Sequence, residues 1–178
     1  MGATTPADQA AKPKTLFTNV HIFDGVHEKR IENAYVFVEG NLIKQISNRE
    51  ITADGAMVID GGERTLMPGL IDAHWHTMFC FWPISKILSS DFGFLSIAAA
   101  KSAGETLLRG FTTVRDAGAN VFSIKKATDE GLIDGPRVYP AGAYISQTSG
   151  HGDFRGPNDV PENPGTPLDY MQRVGHVL

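Results

Sequence analysis

Three residues near the middle of the chain have the types and spacing that metal chemistry needs: Asp72, His74 and His76, in the run Asp72-Ala73-His74-Trp75-His76. On an extended strand, residues two apart point to the same face. Asp72, His74 and His76 then share one face, and Ala73 and Trp75 share the other. Two imidazoles at this spacing, with their rings fixed by the backbone, can bind one divalent ion. Asp72 could orient a ligand ring or a bound water from outside the coordination sphere. A His-x-His pair also arises by chance in a chain with six histidines. Its setting adds weight. Pro68-Gly69-Leu70-Ile71 leads an apolar strand that ends in polar side chains, as a site at the C-terminal mouth of a parallel barrel requires.

Other reactive or recognition groups are fewer. His151 lies between Gly150 and Gly152, just past another strand. It is either a surface-loop histidine, the default for such a position, or a group facing the same mouth as His74 and His76. Arg115 and Asp116 end a strand, where barrel enzymes place polar site residues, although neighbouring Arg and Asp more often form a structural ion pair. Met78, Phe79, Phe81 and Trp82 follow the histidines directly. They read either as an apolar wall for a substrate side chain or as a loop packed over the first helix. Cys80 reads as a small buried hydrophobe. Being the single cysteine, it cannot form an internal disulfide. His21, His27 and His176 carry no motif and read as structural or exposed.

The elements that must position these groups fall into two parts. Residues 16–59 read as β-structure: strands at 16–23, 35–38, 42–46 and 57–60, with a turn at Asp24-Gly25 and a hairpin at Glu39-Gly40-Asn41. Together they suggest a small β-sandwich or half-barrel. After Gly61-Gly62 the pattern alternates: a strand at 66–76, a helix at 92–109 closed by Gly110, and a strand at 111–115. A helix at 121–132, a strand at 137–145, a Gly/Pro-rich loop at 149–166 and the start of a helix at 167–178 follow. That alternation is the signature of parallel βαβ units.

Composition narrows the functional classes. The chain has 178 residues, 42% hydrophobic and 20% charged, which is ordinary for a soluble globular protein. A net charge of −4 gives no basic surface for nucleic acid or an acidic membrane. The most apolar stretch, 78–100, is interrupted by Pro83, Lys86 and Asp91, against a membrane span. Residues 1–13 are small and polar without an apolar leader segment; they read as a flexible tail or as the remnant of a removed leader. Cytoplasm and periplasm both suit this balance.

The run Leu66-Met67-Pro68-Gly69-Leu70-Ile71-Asp72-Ala73-His74-Trp75-His76 resembles the strand-1 motif of the amidohydrolase superfamily. Thr112-Thr113-Val114-Arg115-Asp116-Ala117-Gly118 looks like its strand-2 segment. Pro136-Arg137-Val138 with Ser149-Gly150-His151-Gly152 is similar to strand 3 of the branch holding imidazolonepropionase-like enzymes, Xaa-Pro and Xaa-Arg dipeptidases, and ochratoxin-hydrolysing amidohydrolases. The resemblance implies an α/β fold: a β-sandwich-like accessory domain, incomplete, over 14–64, then the first three β/α units of a (β/α)8 TIM-like barrel over 65–178. It further implies two divalent ions per complete site, commonly zinc, with His74 and His76 holding the more buried ion, Asp72 behind them, and His151 hydrogen-bonding a substrate carbonyl or carboxylate. The family's carboxylated lysine, its later histidines and its proton-shuttling aspartate have no counterpart in these 178 residues, so no catalytic residue is assigned within the chain. The implied reaction is hydrolysis of a C–N bond in a small amide or dipeptide-like substrate by metal-activated hydroxide, in a homo-oligomer when complete. Three alternatives stand beside it: a cyclic amidase or deaminase of the same superfamily, a non-catalytic fragment needing a partner segment, and a non-enzymatic metal-binding domain. The last is weakened because two histidines and an aspartate do not make a closed four-ligand site.

Overall fold

The computed structural model describes residues 11–79, 82–155, 158 and 171. The chain divides into two compact units, Met1–Pro68 and Gly69–Leu178.

In the first unit, runs of β-branched and aromatic residues form β1 (Lys14–Ile22), β2 (Ile31–Glu39), β3 (Leu42–Ser47) and β4 (Met57–Leu66). They make one sheet in the order β3-β2-β1-β4. The first three strands pair antiparallel, and β4 lies parallel to β1. Both expected turns are present. At Asp24-Gly25 the Asp24 carboxylate accepts from the backbone N–H groups of Val26 and His27, and Gly40 sits at φ +62° between β2 and β3. Val20, Ile22, Ala34 and Val36 form the buried cluster, flanked by Phe17, Val38 and Leu66. The described residues of this unit form a single four-stranded sheet.

The main departure is β4. Gly61-Gly62 reads in sequence as the end of a strand, yet β4 continues through it to Leu66. Thr18 pairs with Asp60 and Val20 with Arg64, so Gly61, Gly62 and Glu63 lie opposite Asn19 alone. The backbone N–H of Gly62 and the Asn19 side-chain amide both donate to Asp60 Oδ1, at 2.8 and 3.1 Å. A Cβ on Gly61 would fall 2.2 Å from Val20 Cγ1. The glycines therefore build a bulge, which uses the same residue types as a chain break.

The second unit holds β5 (Leu70–Trp75), β6 (Phe111–Asp116) and β7 (Arg137–Pro140) in a parallel sheet of that order. The helices are α1 (Ile84–Ser89), α2 (Phe92–Leu108) and α3 (Phe122–Asp129). The strand expected at 66–76 is divided: β4 ends at Leu66, and β5 starts at Leu70 after Met67-Pro68-Gly69. Pro68 has no N–H to give a ladder, and a Cβ on Gly69 would lie 2.1 Å from Thr112 Oγ1. α2 begins at Asp91, whose side chain accepts from the N–H of Phe94, and stops ahead of Gly110 at φ +94°. It buries Leu95, Ala99, Ser102, Ala103 and Thr106, one face at helical spacing. Its alanines admit close packing. α3 is shorter than the expected 121–132, and β7 stops at Pro140 rather than 145, ahead of Gly142 at φ +88°. α1 fills a stretch that the sequence left unassigned. Met78, Ile87, Leu95, Val114, Val121, Ile124 and Val138 meet in the core.

Cys80, Phe81, His176 and, apart from Met171, the helix expected at 167–178 lie outside the described residues. Among the described residues, no helix is long and apolar enough to cross a membrane.

Candidate metal centre

β5 delivers its two histidines where the strand ends: His74 lies within it and His76 one residue beyond. Their imidazole centroids are 5.2 Å apart with the rings nearly perpendicular, at 78°. The end of β5 is tied to β6, because the N–H of Ala117 donates to the Trp75 carbonyl at 2.8 Å. His74 is exposed and His76 half-buried. Asp72 Oδ1 accepts from the backbone N–H of His74 at 2.9 Å. It thus secures the strand at His74 through its main chain.

His76 is enclosed by aromatic side chains. The Tyr144 hydroxyl lies 2.9 Å from His76 Nδ1. The Phe79 ring is tilted against His76 at 5.5 Å and stacks on Tyr144 at 6.1 Å with an interplanar angle of 12°. Phe154 meets both Phe79 and Tyr144 edge-on, at 6.5 and 6.3 Å. Tyr144 was not singled out from the sequence. It stands 68 residues from His76, and no spacing rule connects a tyrosine beyond one strand to a histidine beyond another.

Asp116 is fully buried at the end of β6. Its Oδ2 accepts from the N–H of Thr77 at 2.6 Å and its Oδ1 from the N–H of Gly118 at 3.1 Å. It therefore pins the loop directly after His76. The expected ion pair with Arg115 is not formed: the two alternate along β6, Asp116 inward and Arg115 exposed. Burial pushes the Asp116 carboxyl above the ordinary range, against the pull of its hydrogen bonds to Thr77 and Gly118. Burial also raises the Tyr144 phenol, with the nearby Asp116 carboxylate adding to it.

His151 is exposed, in a turn. The loop carrying it is fixed by its neighbours. The N–H of Ser149 donates to Asp153 Oδ2 at 2.7 Å, that of Gly152 to Ser146 Oγ at 3.1 Å, and Arg155 grips both Asp153 oxygens at 2.7 and 2.6 Å. The Arg155 guanidinium, with the Ser149 N–H, holds the Asp153 carboxyl well below the usual carboxylate range. Phe154 joins this loop to the aromatic group around His76.

The apolar residues after the histidines divide by role. Met78 is buried in the core. Trp82 packs against Phe94 and carries Lys86 over its ring at 3.3 Å. Of the expected wall, Phe79 alone among the described residues stands beside His76. His21 contacts Glu32 and His27 contacts Asp24, both within the first unit.

The donors suit a borderline divalent ion such as zinc, since two neutral imidazoles are ligands of that kind. The His74 ring has no hydrogen-bond partner among the described residues, and with Nδ1 of His76 facing Tyr144 its Nε2 is the nitrogen left for coordination. Among the described residues no group of three or more His, Cys, Asp or Glu side chains gathers to hold a metal. The histidine pair therefore fits part of a centre.

Residues 65–172 match the model of the amidohydrolase family, and the chain belongs to that family. It is 36% identical over 92 residues to the ochratoxinase of Aspergillus niger, covering 50% of this chain and 19% of that protein. It is also 29% identical over 138 residues to a 5-methylthioadenosine/S-adenosylhomocysteine deaminase of Caldanaerobacter subterraneus subsp. tengcongensis, covering 67% of this chain and 31% of that one. Among solved structures, a prolidase complexed with N-methylphosphonate-L-proline superposes with a TM-score of 0.78 at 32% identity, covering 92% of this chain and 39% of that one. The chain thus spans about a fifth to two-fifths of the length of these relatives.

Proposed function

We propose that this chain contributes His74 and His76 as two ligands of a divalent metal centre in an enzyme that hydrolyses C–N bonds of small amides or dipeptide-like molecules. The observation that carries this reading is the imidazole pair, 5.2 Å apart at the C-terminal end of a parallel strand, in a chain of the amidohydrolase family. Ligands at strand C-termini are where α/β barrels assemble their sites. We read the parallel β5-β6-β7 sheet as the opening of such a barrel, residues 14–64 as its accessory domain, and residues 1–13 as a tail. The remaining metal ligands and the proton shuttle then come from outside the described residues.

A bound divalent ion, zinc in this proposal, would lower the pKa of a water molecule to about 7 and polarise a carbonyl. This chain's residues supply the surroundings. Asp72 holds the main chain of His74, Asp116 holds the loop after His76, and Phe79 with Phe154 offers an apolar side to a substrate. To His151, exposed on its braced loop, we assign donation of a hydrogen bond to a substrate carbonyl or carboxylate.

The reading is tested by assaying release of the amine from N-acyl-proline and N-acyl-phenylalanine substrates, with and without a chelator. His151→Ala should lower turnover about 100-fold, the lower end of what loss of one polarising donor costs, with metal content intact. Metal loss together with activity would make His151 a ligand or a structural support instead. Chelator-insensitive turnover would contradict the metal role. The longer match to a deaminase, 138 residues against 92, favours one second reading, deamination, which a separate assay tests by ammonia release from 5-methylthioadenosine.

A further inference from the structure

An imidazole that holds a metal has one nitrogen to spare, and the partner of that nitrogen fixes both tautomer and ring orientation. For His76 the partner on hand is Tyr144, its hydroxyl 2.9 Å from Nδ1. We propose that Tyr144 is a positioning residue for His76: its hydroxyl oxygen accepts a hydrogen bond from Nδ1–H, committing Nε2 to the ion and locking the ring against Phe79. The inference rests on reading His74 and His76 as ligands.

The surroundings of Tyr144 support the role. Its ring lies flat against Phe79, at 12°, and Phe79 itself abuts His76, so the three rings brace one another. The space for the tyrosine is made by a missing side chain: a Cβ on Gly118 would fall 2.3 Å from Tyr144 Cε1. Gly118 is also the residue whose N–H is held by Asp116 Oδ1. Asp116 Oδ2 in turn holds the N–H of Thr77, next to His76. One buried carboxylate therefore sets both the backbone beside His76 and the backbone against which Tyr144 rests. A carboxylate partner is not needed to orient this histidine; a neutral phenol serves, adding no charge to the centre.

The test is a zinc titration of the full-length protein, its Tyr144→Phe variant, and His74→Ala and His76→Ala, followed by long-range proton–nitrogen NMR of the imidazoles and by thermal unfolding without metal. In the wild type, zinc should appear on Nε2 of His76 while Nδ1 keeps its proton. Tyr144→Phe should weaken zinc binding about 10- to 100-fold, the usual cost of losing such a partner, with metal-free unfolding close to wild type. Zinc on Nδ1, or unchanged affinity in Tyr144→Phe, would overturn the proposal. The nitrogen assignment is made on the wild type, so it decides even if the variant unfolds. If the histidine variants lose zinc while Tyr144→Phe keeps it, this inference fails alone. If the histidine variants keep zinc, the ligand reading fails and the inference with it.

Discussion

At the scale of single residues, the histidine pair was legible because its spacing carries its own geometry: alternation on a strand is enough to bring His74 and His76 together, and their rings lie 5.2 Å apart. What joins them from elsewhere was not legible. Tyr144 and Asp116 act through tertiary contacts that only the folded chain creates, and Asp116 looked instead like half of an ion pair with Arg115. Asp72 was expected beside the ligands and is found holding the His74 main chain. Gly118 gives the clearest consequence at this scale. With its absent Cβ only 2.3 Å from the Tyr144 ring, Gly118→Ala should destabilise the protein by about 1–3 kcal/mol through overpacking. In a Tyr144→Ala background the same change should cost less, since the two sites share one contact. Urea unfolding of the four proteins checks this, and equal costs in both backgrounds would contradict it.

At the scale of elements, periodic and turn signals read well and breaks read badly. The hairpin at Gly40, the helix from 92 and its stop at Gly110 came from local chemistry that the fold respects. Gly61-Gly62 misled, because a bulge and a chain break use the same residues and only the register against β1 tells them apart. The loop bearing His151 is an element in its own right, closed by Asp153. Its order should follow the Asp153 carboxylate. Arg155 and the Ser149 N–H depress that carboxyl below its unfolded value, so the stabilisation is present above the ordinary carboxylate range and is lost only as pH falls through the depressed value. The Ser149 amide should therefore stay protected from hydrogen exchange as pH drops through the ordinary range. Asp153→Asn should expose it already at neutral pH. Equal protection in the two proteins would show that the loop is held by other contacts.

At the scale of the molecule, the two units, Met1–Pro68 and Gly69–Leu178, each have their own buried cluster. The order of β-rich and alternating parts was legible because the hydrophobic period changes along the chain. The extent of the sheet was not, since strand partners distant in sequence leave no local trace. Among the described residues β5 and β7 each have one neighbour, and β5 exposes Leu70 and Ile71, the latter 70% accessible. Apolar strand edges of this kind pair with other chains. We expect the 178-residue chain to associate with itself at concentrations on the order of micromolar, measured by sedimentation velocity. A monomer across the whole concentration range would mean that these edges are covered.

The claim on which the functional reading depends is that His74 and His76 ligate a metal together, and it is tested most directly by zinc-edge X-ray absorption of the zinc-loaded protein and its His74→Ala variant. Imidazole nitrogen is expected at about 2.0–2.1 Å from the ion, with one imidazole fewer and weaker binding in the variant. An identical spectrum and affinity in His74→Ala would contradict it.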